Sequence, residues 1–228
     1  MLSKDEGEHL ARVLRLGVGD TVSVFDGRGR EWLARVESVM RRDVRLQLLS
    51  RVEPAAEPAV PITLAQTVLK GDKMDEVVRD AVMLGVAAIQ PIVTSRSEAT
   101  VAALTRGARV DRWQRVALAS VKQSRRAVVP AIHPPVTLET FLDEPPAGLR
   151  VMMVEPAAAA EPVSALRNQP VPSDAALLVG PEGGWTETER LAALGRGVRL
   201  ITLGRRTLRA DAVPIAAICV LQFLWGDL

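Results

Sequence analysis

Short alternating runs of polar and apolar residues open the chain. Thr21–Phe25 alternates, Asp26-Gly27-Arg28-Gly29 is a turn signal, and Glu31–Ser38 alternates again. Val44–Leu48 repeats the pattern. Ahead of them, His9–Leu16 has apolar residues at Leu10, Val13 and Leu14, a spacing that suits a short helix ended by Gly17. The pattern predicts a small β-rich unit of barrel type over residues 1–60. It then runs into RVEPAAEPAVP, whose three prolines and lack of apolar periodicity mark a linker, with the boundary near Glu57–Pro61.

Beyond the linker the period lengthens. Ile62–Leu69 is a strand candidate, and Asp72–Leu84 a helix whose apolar stripe is Met74, Val77, Val78, Ala81 and Leu84, closed by Gly85. Val86–Val93 is the next strand, with Pro91 implying a kink or an edge position. Arg109–Ser124 is helical, with Trp113, Val116, Ala117, Ser120 and Val121 on one side. Leu149–Val154 and Ala176–Val179 are apolar runs of buried-strand type; around the first of them, Pro145–Pro172 is otherwise loop-like. Thr186 and Glu189 form a capping box for a helix to Leu194, Val198–Leu203 is a strand, and Ala212–Leu224 a final helix. Strands alternating with helices predict an α/β fold over 61–228, a mainly parallel sheet covered on both faces.

Composition narrows the class. The chain has 228 residues, 48% of them hydrophobic and 25% charged, which excludes a disordered chain. Its longest apolar stretch, near Ile215–Leu224, is cut by Gln222 and is too short to span a bilayer. The start, MLSKDEGEHL, carries acidic residues and no apolar core of a secretory signal. One cysteine, Cys219, and two histidines, His9 and His133, give no disulfide and no metal-ligand pattern. The expectation is a cytoplasmic protein without metal or membrane. Net charge is only +2, but it is unevenly spread. Residues 96–130 hold eight basic and two acidic side chains, whereas residues 131–195 hold three basic and nine acidic. Codon bias accounts for 25 of the 29 basic residues being Arg, but not for their clustering. A clustered basic segment is a candidate phosphate-binding surface.

Four segments carry candidate chemistry, and each also has a plain structural explanation. Leu177-Leu178-Val179-Gly180-Pro181-Glu182-Gly183-Gly184-Trp185 takes a buried strand through a glycine-rich loop into a helix. In an open α/β sheet ligands sit at such carboxyl ends, although an ordinary strand-to-helix turn would look the same. Glu182 there would repel a phosphate and suits hydroxyls or a cation. Leu203-Gly204-Arg205-Arg206-Thr207-Leu208-Arg209-Ala210-Asp211 places three arginines before an apolar helix, where cations are unfavourable unless a partner such as Asp211, Glu182 or a polyanion compensates. Lys70–Asp75 is a charged helix start, or merely a solvated turn. Gln123-Ser124-Arg125-Arg126 closes a helix, and the helix dipole alone explains arginines there.

In this order the four segments resemble the bacterial enzymes that methylate N3 of a uridine in 16S ribosomal RNA, in the SPOUT superfamily. The resemblance covers nearly the whole chain and extends to Gly19-Asp20, Phe25-Asp26-Gly27, Leu84-Gly85-Val86 and Thr94–Ser97. It implies a PUA-like RNA-binding β-barrel at 1–60 and a SPOUT methyltransferase domain with a C-terminal trefoil knot at 61–228. It implies S-adenosylmethionine as cofactor, a homodimer, and ribosomal RNA of the small subunit as partner. The cofactor residues carried over are Leu178, Val179, Gly180, Pro181, Glu182 and Gly183 in one loop, with Leu203, Gly204, Leu208 and Arg209 in the other. Uridine N3 must lose its proton, so an arginine near the uracil carbonyls would stabilise the developing anion. Arg209 leads for that role, then Arg206, with Glu182 the nearest acid for a proton. Arg12, Arg96, Arg125, Arg126 and Arg205 are the expected RNA contacts. The chain departs from the family at Asp211-Ala212-Val213, where Glu-Thr-Ala is usual, and at Trp185, where a smaller or different apolar residue is common. Two other functions compete. One is a non-catalytic RNA-binding protein; the other is a small-molecule α/β enzyme, which lacks a GxGxxG or GxxxxGK[ST] pattern here.

Overall fold

A computed structural model of the chain describes residues 2, 4–40, 43–145, 148–156 and 160–228. Contacts divide it into two units, Met1–Ala56 with Arg125–Val129, and Glu57–Ser124 with Pro130–Leu228.

The first unit starts with helix α1 (Lys4–Glu8), which passes into a π-helical turn at His9–Val13. The helical stretch therefore starts and ends earlier than the expected His9–Leu16. Of its apolar residues only Leu10 is buried, while Val13 and Leu14 are exposed. Strands β1 (Thr21–Phe25), β2 (Glu31–Val39) and β3 (Val44–Val52) form an antiparallel sheet in that order. The turn between β1 and β2 is made by Asp26, whose carboxylate accepts the Arg28 N–H at 2.9 Å and the Arg30 N–H at 3.1 Å. The 125–129 segment pairs with the same turn, through Val129 N–H to Gly27 O and Gly29 N–H to Ala127 O, both 3.0 Å. β3 outruns its expected end at Leu48 because a bulge inserts Leu49 between the pairs Ala34↔Leu48 and Leu33↔Ser50. A bulge interrupts the period of two on which the sequence reading depends. Leu10, Val36 and Val44 form the small core.

The second unit is built on one parallel sheet. Its elements are β4 (Ile62–Thr67), α2 (Lys73–Met83), β5 (Ala88–Val93), α3 (Val101–Arg106) and α4 (Arg109–Ser124). They continue with β6 (Ala131–Ile132), β7 (Val136–Thr137), α5 (Leu138–Asp143), β8 (Leu149–Met153) and β9 (Glu161–Pro162). The end comprises β10 (Ala175–Val179), α6 (Glu187–Leu194), β11 (Arg199–Thr202) and α7 (Ala212–Trp225). The strand order is β6-β5-β4-β10-β8-β11-β9, with β7 also pairing β5. Every pairing in it is parallel. β10 is buried along its whole length, as an apolar run covered on both faces must be. One face, carrying Ala65, Leu178, Met152 and Leu200, joins Phe141 and Leu142 of α5 and Ala193 of α6 in a single core. The opposite face, with Leu64, Leu177 and Val151, is equally buried. The stripes on α2 and α4 are buried as expected at Met74, Val77, Val78 and Ala81 and at Trp113, Ala117, Ser120 and Val121. Pro145–Pro172 holds β9 and a 3₁₀ turn at Val163–Leu166; its residues 146–147 and 157–159 lie outside the described ones.

Pro91 does not sit on an edge strand. β5 lies inside the sheet, but β6 pairs it only at Ala88 and Ile89, and β7 only at Ile92 and Val93. Pro91, which has no N–H to give, falls in the gap. The Gln90 side chain fills that gap by donating to Pro91 O at 3.0 Å and Pro134 O at 2.8 Å. Among the described residues no helix is long and apolar enough to cross a membrane.

α2 ends at Gly85, which takes φ +90. A Cβ there would approach Pro58 Cγ at 2.6 Å. Both the left-handed backbone and the close approach require glycine. Replacing it, Gly85→Ala, is expected to lower stability by about 2 kcal/mol in urea denaturation, from strain and overlap together.

Candidate active site

Parallel pairing brings the carboxyl ends of β4, β8, β10 and β11 to one edge, and a cavity of about 430 Å³ opens there. Its walls come from two loops that are distant in sequence. The first is Gly180–Trp185 after β10; the second runs from Leu203 after β11 and includes Arg206–Asp211. Val154 and Glu155 after β8, with Lys73 at the start of α2, complete it. Of the expected cofactor residues, Val179, Gly180, Pro181, Glu182, Gly183, Leu203, Leu208 and Arg209 line the cavity. Leu178 does not: it is fully buried in the core beneath, its side chain facing α5 and α6. Gly204 is exposed and is not part of the lining, although its carbonyl accepts the Thr202 hydroxyl at 3.1 Å.

The glycine loop is fixed from several sides. The Trp185 indole N–H donates to Met153 O at 2.8 Å, which turns the ring under Gly180. A Cβ on Gly180 would stand 3.0 Å from that ring, so the absent side chain is what lets strand and indole meet. The Glu182 carboxylate accepts from Lys73 Nζ at 3.0 Å and from the Lys70 N–H at 3.3 Å. Burial pushes the Glu182 pKa up. Hydrogen bonds from its own main chain, Lys73 and Lys70 outweigh this and hold it below the usual carboxylate range. Arg96 donates to Gly183 O. These contacts tie the loop to the ends of β4 and β5.

The arginines of the second loop divide. Arg206 and Arg209 line the cavity, whereas Arg205 does not. Arg209 is paired with Asp211, Nε to Oδ1 and Nη2 to Oδ2, both at 3.0 Å, and its side chain remains 74% exposed. Asp211, at the family departure, thus supplies the compensating charge that three arginines before a helix call for. Of the other expected RNA contacts, Arg12, Arg125 and Arg126 belong to the first unit and Arg96 and Arg205 to the second. Arg125 is exposed and ends α4 with φ 59. Arg126 is only 6% exposed, so its guanidinium offers a phosphate little surface.

Sequence reasoning missed Lys73, Arg190, Val154 and Glu155 as lining residues. Glu189 was read only as a cap. It does close the capping box with Thr186, but the same carboxylate also accepts the Ser95 N–H at 2.9 Å and its hydroxyl at 3.0 Å, joining α6 to the end of β5. Among the described residues no cluster of His, Cys, Asp or Glu could hold a metal ion.

The second unit coincides closely with a family model, RNA methyltransferase domain, matched over residues 56–222. The chain belongs to the RNA methyltransferase family. A second model, the RNA methyltransferase PUA domain, matches residues 2–49. Among curated relatives, the ribosomal RNA small subunit methyltransferase E of Synechocystis is 33% identical over 95% of this chain and 70% of its own. Its namesake in Mycobacterium bovis is 31% identical over 97% and 86%. Among solved structures, the small subunit methyltransferase E of Neisseria gonorrhoeae, bound to S-adenosyl methionine, superposes with TM-score 0.88 at 33% identity, covering 98% of this chain and 91% of that one. A Legionella pneumophila methyltransferase in complex with the cofactor SAM gives TM-score 0.88 at 31% identity, over 97% and 90%.

The Glu189 carboxylate makes a pH prediction. Burial raises its pKa, but hydrogen bonds from Thr186 and Ser95 outweigh burial and leave it lowered from 4.5. A lowered folded pKa stabilises the protein above the unfolded value, and that contribution is lost as pH falls through the folded value. Glu189→Gln should therefore be less stable than the parent at neutral pH, and the gap in urea midpoint should close as pH drops below 4.5.

Proposed function

We propose that this family member methylates N3 of a uridine in 16S ribosomal RNA, using S-adenosylmethionine bound in the 430 Å³ cavity. The observation that carries the reading is that the glycine loop and the arginine loop, separated in sequence, wall a single cavity with Arg206 and Arg209 on it. The SAM-bound relatives of the same fold support it.

The lining fits the cofactor chemically. Val154, Val179, Leu203, Leu208 and Val213 give apolar walls for an adenine, and Gly180–Gly184 line the cavity beside them. Glu155, Glu182 and Asp211 are the carboxylates available to a sulfonium cation, on a lining that also carries Lys73, Arg96, Arg190, Arg206 and Arg209. When bound, the cofactor supplies an electrophilic methyl group. The protein's own task is to make the uracil nucleophilic. N3 carries a proton, and its loss to solvent water spreads negative charge over N3 and both carbonyl oxygens. Arg209 is the group we assign to that charge, with Arg206 second. To reach it, the Arg209 guanidinium turns from one carboxylate, Asp211, toward the base. Glu182 is a poor proton acceptor, since its hydrogen bonds favour the ionised form, and we assign it to anchoring the glycine loop. RNA contacts fall to Arg12, Arg96, Arg125 and Arg205; buried Arg126 is read as structural.

The same reading carries the finer architecture. A trefoil knot at the carboxy end is supported by the parallel order β10-β8-β11 and by the loops after β10 and β11 sharing a cavity. A PUA-like barrel at 1–60 is supported by the family model at 2–49. A cytoplasmic location follows from a ribosomal RNA substrate. A homodimer is supported by α7, which buries Ala217, Ile218 and Leu221 but leaves Phe223 62% exposed.

Four outcomes test this. Ribosomal RNA from a strain lacking the protein should lose one methyl group on 16S uridine by mass spectrometry, and calorimetry should record heat on titrating SAM. No heat would leave a non-catalytic RNA binder. Arg209→Ala should lower kcat about 10²–10³-fold, with a much smaller change in SAM affinity. In sedimentation the parent should run at twice the chain mass, and Phe223→Asp should shift it toward the monomer.

A further inference from the structure

Beside the cofactor cavity the second unit has another, of about 250 Å³, at the ends of β4 and β5. Arg96 and Glu182 line both. The smaller cavity also takes in Lys70, Glu98 and Arg109, so three cations and two carboxylates face it. The carboxylates are already engaged. Glu98 pairs with Lys70 at 2.6 Å, and Glu182 with Lys73 at 3.0 Å. Among the described residues neither Arg96 nor Arg109 has a carboxylate partner. Arg96 donates to the Gly183 carbonyl, and Arg109 Nη2 to the Leu69 carbonyl at 3.2 Å. The Arg109 guanidinium is held further by stacking 5.4 Å from the Trp113 ring.

We propose that this second cavity seats a backbone phosphate of the substrate RNA next to the target uridine, with Arg109 as its principal ligand and Arg96 and Lys70 beside it. The inference rests on the RNA-methylating function given above. A guanidinium has five N–H donors in a planar fork that matches phosphate oxygens, and each of these arginines spends few of them on the protein. Arg109 is pre-organised: the Trp113 ring and the Leu69 carbonyl restrict its side chain before any ligand arrives, which lowers the entropic cost of binding. The shared wall sets the register. A phosphate held on one side of Arg96 and Glu182 fixes where the neighbouring base enters the other side, and phosphate contacts position a nucleic acid without reading its sequence. Arg109 is thus a positioning residue for the reaction, distinct from Arg209.

The test uses the intact chain and transcribed 16S ribosomal RNA, with binding measured across a salt series. Arg109→Met keeps an unbranched side chain on Trp113 while removing the charge. It should reduce the slope of log affinity against log salt by about 0.7 and weaken binding about fivefold at low salt, with calorimetric SAM affinity unchanged. Glu98→Gln frees Lys70 and should act in the opposite sense, with tighter binding and a steeper slope, which a purely structural role for these residues does not produce. Unchanged slopes in both variants overturn the proposal. So does a parallel loss of SAM affinity in Arg109→Met, which would assign the cavity to the cofactor's carboxylate. If the parent itself neither binds nor methylates the RNA, the functional reading falls as well.

Discussion

A parallel ladder delivers every strand to the same edge of its sheet, and the site of this protein is a consequence of that constraint. β10 pairs with β4 on one side and β8 on the other, and β8 carries β11. Their carboxyl ends are therefore neighbours whatever the sequence between them. The loops after β10 and β11 then have no choice but to face each other, and the chemistry is selected by what stands in them: small residues in one and guanidinium groups in the other. Strands buried on both faces hold this edge firmly, since a register slip would unmake the packing of Leu64, Leu177 and Val151 on one face and of Ala65, Leu178 and Met152 on the other.

On this frame the candidate site is assembled by charge. Glu182 reaches Lys73 Nζ and the Lys70 N–H, Glu189 reaches Ser95, and Arg96 reaches the Gly183 carbonyl. Each contact joins the glycine loop or the helix behind it to the end of β4 or β5. Asp211 occupies Arg209 with two hydrogen bonds. Among the described residues Arg96, Arg109 and Arg206 have no carboxylate partner and face cavities, which suits a surface that meets a polyanion.

Much of the fold was legible because its signals are local. Arg109–Ser124 and Thr21–Phe25 agree with the structure residue for residue, since each is a clean period with a clear stop. The Thr186–Glu189 box was legible for the same reason. What was not legible depends on partners far along the chain. α5 was missed: six residues show little periodicity, and the helix is completed by Arg150, eight residues after Leu142, whose guanidinium donates to the Leu142 carbonyl at 3.1 Å and lies 5.3 Å from the Phe141 ring. Burial depresses the Arg150 pKa despite Glu144 nearby, and the sequence, which places Arg150 inside the strand run Leu149–Val154, carries no sign of its contact with α5. Leu178 was assigned to the cofactor because it precedes the glycines, but alternation along β10 turns it into the core. Lys73 was invisible as a site residue because nothing in a charged helix start distinguishes a solvated lysine from one that holds Glu182.

The break at Pro91 has a consequence for how the molecule meets its own kind. The outermost strands of the large sheet are two-residue segments, β6 and β7 on one side and β9 on the other, with Pro162 in the last. Between β6 and β7 the Gln90 amide occupies the place where a foreign backbone would have to dock. Among the described residues neither margin offers a continuous row of free amides, which disfavours growth of the sheet by a strand from another molecule. The short, interrupted margins thereby guard the chain against polymerising through its most hydrophobic layer.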